Sequence, residues 1–384
     1  MSQRSCCLLL GLTLLAMNRP ICTHAGDPRS RGPYAVGVRT EVIVDSDRTC
    51  AITGQPRTLV TEIWYPAGKS ADKHPVNRFA DYFGRPEGVA MAAVAIGRFG
   101  GNMLKLDASF QNFAHRGPEI QEGRFPLLIF SHGNGGFRHQ NTFQAEYLAS
   151  HGYVVAAPDH TGNAALSVLP DSIVTYNRET RKAERRDDRP LDVKFVITRL
   201  WQLGGSEDHW LSGHIVPKQV GVFGHSFGGF TACRAIELDD RIQAILPMTL
   251  GGTLRDPEKE EACEVPLLLI IADADRTVGE RGNARSRAYF ERAAGPKYLL
   301  NFKDAGHYTF TEMLQINSSF GDGIGVEKDD EGQVTFTFSD AREDQRITNE
   351  YSVSFFDTFV KQDASAREFL DKNHEPDEIV FHKE

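Results

Sequence analysis

VGVFGHSFGGF, residues 220–230, runs an apolar stretch straight into a glycine-flanked serine. Residues 220–223 read as a buried strand and 227–238 as an amphipathic helix, so Ser226 falls on the turn between them. A strand–turn–helix this tight holds the serine in a strained backbone conformation and lifts its Oγ clear of the sheet. Residues two before and two after it approach too closely for large side chains. Gly224 and Gly228 meet that demand, and Gly229 lets the helix pack near the strand. The helix start also offers free N–H groups to an anion.

The rest of the chain supplies a sheet for such a turn. Continuous apolar runs at 125–131, 153–157, 220–223, 242–248, 266–272 and 297–302 suit strands buried on both faces, hence a parallel sheet. Helical spacing at 139–151, 190–204, 227–238, 282–294 and 346–361 alternates with them. Earlier, 35–45 and 58–65 alternate apolar and polar residues like two antiparallel strands, joined by a turn over 46–57. The predicted fold is α/β: a doubly wound, mostly parallel sheet with antiparallel N-terminal strands. Segments 76–118 and 161–189 interrupt the alternation and read as insertions at the rim of one domain spanning 26–384. The charged stretches 178–189 and 327–331 read as solvated loops.

With 43 basic against 52 acidic side chains the net charge is −9, which gives no basic excess for nucleic acid. Arg4 followed by the apolar run at 6–17 and by Thr23-His24-Ala25 predicts an export signal over 1–25, and so a secreted or periplasmic protein. Removing it leaves Cys50, Cys233 and Cys263 of the six cysteines. Cys233 fits a helix core position, and Cys50 and Cys263 are the pair available to an oxidising compartment.

A serine nucleophile needs a base, and the base an orienting acid. On a sheet of this kind the chain order is serine, acid, histidine. His307 follows the 297–302 strand, whereas His374 and His382 lie in a charged tail. For the acid, Asp275 and Asp273 both follow the 266–272 strand, and Asp275, three before Val278, fits the turn better. The loop Ser131-His132-Gly133-Asn134-Gly135-Gly136 follows the 125–131 strand and offers the Asn134 amide to an oxyanion, with the Phe227 amide as its partner. His132 reads as a brace for that loop. No metal-ligand spacing and no Gly-x-Gly-x-x-Gly or Walker pattern is present in the sequence, so no cofactor is implied.

Residues 129–160 (IFSHGNGGFRHQNTFQAEYLASHGYVVAAPDH) and 222–229 (VFGHSFGG) resemble the platelet-activating factor acetylhydrolase family and its bacterial dienelactone-hydrolase-like relatives, within the α/β-hydrolase superfamily. Glu62-Ile63-Trp64-Tyr65-Pro66-Ala67 and Tyr82-Phe83-Gly84 are similar to the same family. The resemblance implies a secreted or lipid-facing serine esterase that cuts short acyl esters without a metal. It departs at the acid: the acetylhydrolase position matches Thr249, while Asp275 takes the position of dienelactone and polyester hydrolases. Residues 88–106 occupy the place of lipid-touching helices, and Met91, Val94, Ile96, Phe99, Met103 and Leu104 are expected to line an acyl pocket, touch lipid or cover the core.

The expectation is therefore an ester hydrolase using Ser226, His307 and Asp275 on small-molecule or lipid esters, platelet-activating-factor-like acetyl phospholipids included. Its rivals are a lactone or polyester hydrolase with the same triad and a non-catalytic binding protein of the same fold.

Overall fold

The computed structural model describes residues 27–251 and 262–384. The candidate export signal at 1–25 lies outside the described residues.

Ten strands form one sheet in the order β14-β11-β10-β9-β8-β4-β5-β2-β1-β3. They are β1 (Ala35–Thr49), β2 (Pro56–Ala67), β3 (His115–Arg116), β4 (Phe125–Ser131), β5 (Val154–Pro158), β8 (Ile215–His225), β9 (Ile242–Met248), β10 (Leu267–Ala272), β11 (Lys297–Phe302) and β14 (Ile379–Lys383). The six from β4 to β11 in this sheet pair in parallel, so their C-terminal ends share one edge. The first two strands pair antiparallel, as their alternation predicts. The tail adds a second antiparallel edge that the sequence reading missed: β14 pairs with β11 and places His382 opposite Leu299.

Side chains alternate between two cores. Along β10, Leu268, Ile270 and Ala272 face one layer, and Leu267, Leu269 and Ile271 the other. Helices α3 (Thr142–Ser150) and α7 (Ala341–Phe359) cover the first. Helices α4 (Asp188–Gly204), α5 (Phe227–Ala235) and α6 (Gly279–Arg292) cover the second. Each fully buried Leu, Ile or Phe contributes about 1.5–3 kcal/mol relative to exposure, which is why unbroken apolar runs settle at the centre of this sandwich. Among the described residues no helix is long and apolar enough to cross a membrane.

The segment 76–118 contributes α1 (Pro86–Arg98) and α2 (Met103–Ser109). Its apolar residues divide: Ile96 and Met103 are buried, while Met91, Val94 and Leu104 are 39%, 56% and 84% exposed. Between 161 and 189, β6 (Leu166–Val168) and β7 (Ile173–Thr175) form a hairpin. The solvated reading of 178–189 fails at Arg189, which is 3% exposed. Three acceptors draw it inward: it donates to Asn163 Oδ1 at 2.8 Å, to Ser131 Oγ at 2.9 Å and to the His132 carbonyl. Residues 328–331 are exposed, as read, and 327–331 forms the turn region of a hairpin, β12 (Val326–Lys328) with β13 (Val334–Thr337), in which Glu327 pairs with Arg276 at 3.0 Å.

Cys50, Cys233 and Cys263 are all buried, and none of them is in a disulfide. Cys50 and Cys263 therefore do not pair. Cys50 accepts from Arg57 at the turn between the first two strands, and Cys263 donates to the Val265 carbonyl ahead of β10.

Candidate active site

Ser226 stands between the end of β8 and the start of α5 with φ 56° and ψ −119°. A non-glycine residue there costs about 1–3 kcal/mol, which the surrounding contacts sustain. Those contacts explain the glycines. A Cβ on Gly224 would lie 2.3 Å from the Gly228 carbonyl oxygen, and one on Gly228 would lie 1.8 Å from the Ser131 carbonyl oxygen at the end of β4. The elbow is thus wedged against the strand that feeds the 132–136 loop. A third glycine, Gly251, was not singled out from sequence. Its amide donates to the Ser226 carbonyl at 3.0 Å, and a Cβ there would lie 2.6 Å from Ser226 Oγ. Gly251→Ala is expected to lower kcat at least about 100-fold through displacement of the hydroxyl, with a far smaller change in Tm. Steady-state kinetics beside a thermal melt checks this.

Asp275 and His307 meet: His307 Nδ1 lies 2.7 Å from Asp275 Oδ2, and both side chains are buried. Asp275 Oδ1 accepts the amides of Thr277 and Val278 at 2.9 and 2.8 Å, which fixes the carboxylate plane. A carboxylate at Nδ1 makes that nitrogen the donor and leaves Nε2 with its lone pair. Ser226 and His307 line the same cavity, and among the described residues neither Ser226 Oγ nor His307 Nε2 has a hydrogen-bond partner. Asp273 goes elsewhere. It is exposed, and its Oδ1 accepts the Asp304 amide at 2.7 Å. Thr249 is buried beyond β9 with φ 42°.

In the 132–136 loop, the Gly133 amide donates to Gln140 Oε1, the Gly135 amide to the Asn163 carbonyl and the Gly136 amide to the Gly133 carbonyl. Among the described residues, the amides of Asn134 and Phe227 donate to nothing, and both residues line the cavity. Buried polar groups hold this loop. His132 spans from the Gly133 carbonyl to the His160 amide, and Arg189 stacks on Phe227 at 4.7 Å while it grips the loop backbone. Burial brings the Arg189 guanidinium down to about 9. Sequence reasoning also missed Gln140. Its Nε2 donates to His225 Nδ1 at 2.9 Å, and His225 Nε2 donates to the His307 carbonyl at 2.7 Å. Burial holds the His225 pKa well below its ordinary value, so the ring is neutral and can bridge in this way.

A second serine–histidine–aspartate array lies beneath. Ser131 Oγ is 2.9 Å from His160 Nε2, and His160 Nδ1 is 2.9 Å from Asp192 Oδ2. All three residues are fully buried, and the Ser131 oxygen is already bonded to Arg189. Asp192 is also committed to Arg57 and Arg48. This array is a brace with no face toward substrate. Nearby, Arg138 of the HGNGGFR stretch pairs with Glu62 and Asp159 and donates to the Tyr82 carbonyl. That network ties together the separate segments on which the family resemblance rests.

The cavity measures about 540 Å³. Phe99, Leu250, Met313 and Ile316 supply apolar wall, and Glu312, whose carboxyl burial pushes up to about 7, closes one side. Arg181, Arg281 and Arg285 also line it, and none of the three has an acidic partner among the described residues. Two of them face each other four residues apart in the first turns of α6, an arrangement of like charges that costs helix stability rather than adding to it. Among the described residues no cluster of side chains has the makings of a metal site.

Sheet order, elbow and loop placement define an α/β-hydrolase fold. The chain belongs to the dienelactone hydrolase family, whose profile matches residues 115–319 and takes in Ser226, Asp275 and His307. The profile of platelet-activating factor acetylhydrolase, isoform II, matches residues 21–196. Platelet-activating factor acetylhydrolase of Cavia porcellus is 27% identical over 253 residues, covering 57% of this chain and 54% of that protein. That of Canis lupus familiaris is 28% identical over 149 residues, covering 31% and 34%. The chain thus spans about half or less of the length of these curated relatives. A ferulic acid esterase from Streptomyces cinnamoneus shares the fold with a TM-score of 0.70 at 23% identity, over 91% of this chain and 96% of that one.

Proposed function

We propose that this chain is a serine carboxylic ester hydrolase. The observation that carries the reading is the 2.7 Å Asp275–His307 bond on the wall of the cavity that Ser226 shares. Ser226 Oγ attacks the ester carbonyl as His307 Nε2 takes its proton, and the Asn134 and Phe227 amides receive the oxyanion. The imidazolium then protonates the leaving alcohol. Water, deprotonated by His307, releases the acyl group from Ser226.

The substrates are short-acyl esters that carry an anionic group, platelet-activating-factor-like acetyl phospholipids among them. Three arginines on the cavity wall that have no acidic partner among the described residues, in a chain with net charge −9, support an anionic ligand. The exposed Met91, Val94 and Leu104, on the helices that flank Phe99 at the cavity, support peripheral contact with a lipid surface. The apolar run at 6–17 supports export. A lactone hydrolase is the second reading, favoured by the acid standing after β10 while Thr249 occupies the acetylhydrolase position.

A panel of an acetyl phospholipid with a net-anionic headgroup, its zwitterionic phosphocholine counterpart, neutral p-nitrophenyl acetate and a lactone separates these. Arg281→Gln combined with Arg285→Gln is expected to lower the anionic-to-neutral ratio of kcat/KM by about tenfold, with the preference also falling as salt rises. A ratio near unity in the wild-type enzyme contradicts the anionic assignment.

A further inference from the structure

We propose that Asp322 is a positioning residue whose single carboxylate fastens the loop carrying Asp275 to the loop carrying His307. The inference rests on the triad reading above. The two loops leave the neighbouring strands β10 and β11, whose paired residues end at Ala272 and Phe302. Beyond that point the sheet no longer sets their register. Asp322 takes over. Its Oδ1 accepts the amide of Arg276 at 2.8 Å and the amide of His307 at 2.9 Å, one from each loop. Its Oδ2 accepts the Thr277 hydroxyl at 2.6 Å, and its carbonyl accepts the Tyr308 amide at 2.9 Å. The amides it holds therefore belong to the histidine itself and to the residue directly after Asp275.

The backbone is arranged to deliver that carboxylate. Asp322 has φ 44° and lies between Gly321 at φ 87° and Gly323 at φ 107°. A run of left-handed residues with a side chain in the middle persists only where its surroundings over-determine it. Here the surroundings are the histidine loop: a Cβ on Gly306 would lie 2.2 Å from the Gly323 amide nitrogen, and Thr309 Oγ1 donates to the Gly323 carbonyl at 3.2 Å. The turn at 321–323 is pressed flat against residues 306–309. Other bonds join the two loops, the Ala274 amide to the Ala305 carbonyl and the Asp304 amide to Asp273 Oδ1, but they sit on the strand side of the pair. Asp322 holds the far side, where Asp275 and His307 face each other.

The test compares Asp322→Ala, Asp322→Asn and Thr277→Val with wild type and Ser226→Ala. Displacing reacting groups by about 1 Å costs on the order of 100-fold, so Asp322→Ala is expected to lower kcat about that much while KM stays within about threefold. Asn keeps an oxygen for the two amides, so Asp322→Asn is expected to recover kcat to within about tenfold of wild type. Thr277→Val removes the hydroxyl that Asp322 Oδ2 accepts, together with its side-chain bond to Tyr308, leaves both amide bonds to Asp322 in place and is expected to lower kcat several-fold, which keeps the test open if Asp322→Ala does not fold. The specific readout is the far-downfield proton resonance of His307 Nδ1–H. It is expected in wild type and Ser226→Ala, lost or exchange-broadened in Asp322→Ala, and restored in Asp322→Asn. Unchanged kcat and resonance in Asp322→Ala, or an Asn variant as impaired as Ala, overturns the staple while an inactive Ser226→Ala leaves the functional reading standing. A fully active Ser226→Ala overturns the functional reading, and the resonance still decides whether Asp322 sets the Asp275–His307 pair.

Discussion

Ser226→Ala is expected to lower kcat/KM toward short-acyl esters by on the order of 10⁴–10⁶-fold, because the nucleophile of a triad is lost as a unit with its base. The change removes one oxygen from a side chain whose hydroxyl has no partner among the described residues. No buried group is left unsatisfied, and the strained φ of 56° is retained. Stability should therefore barely move, and KM should stay close to wild type since the cavity keeps its shape. Progress curves at high enzyme concentration, with a thermal melt beside them, check both halves. The residual rate reports what the Asn134 and Phe227 amides and the cavity contribute without a nucleophile.

The second large effect is Asp275→Asn, expected to lower kcat about 10⁴-fold. The reason lies in the two ends of the carboxylate. Oδ1 accepts the Thr277 and Val278 amides, so the side-chain oxygen of Asn is pinned there. The amide nitrogen then takes the Oδ2 position against His307 Nδ1. Two donors cannot face each other, so the imidazole adopts the other tautomer, with its proton on Nε2, and cannot accept from Ser226. Asp273→Asn makes the contrasting case, since Asp273 is committed to the Asp304 amide and does not touch the histidine. The measurement is kcat for both variants over a pH series. Equal losses would contradict the assignment of Asp275.

Much of this arrangement was legible in the sequence because it rests on local rules. Unbroken apolar runs such as 267–272 mark strands covered on both faces, and the glycines around Ser226 mark a turn where backbone meets backbone. Chain order and a place after strands single out Asp275 and His307, whose side chains meet at 2.7 Å. The supporting groups follow no such rule. Gln140 and His225 connect the 132–136 loop to the histidine loop across residues distant in sequence, and Asp322 joins two loops from a third. A hydrogen bond between distant polar residues leaves no periodicity behind. Arg189 misled for the opposite reason: it ends a charged stretch that reads as solvated, and only the acceptors beneath the oxyanion loop draw it inside. The C-terminal strand β14 was hidden in the same way, because a short edge strand with Lys383 and His382 carries the composition of a tail.

The central claim is that Ser226 forms the covalent intermediate. Treating the full chain with an alkyl fluorophosphonate and sequencing the modified peptide by mass spectrometry tests it most directly. The account predicts one adduct, on Ser226, formed faster in wild type than in Asp275→Asn. An adduct on another residue, or labelling of Ser226→Ala at the wild-type rate, would contradict it.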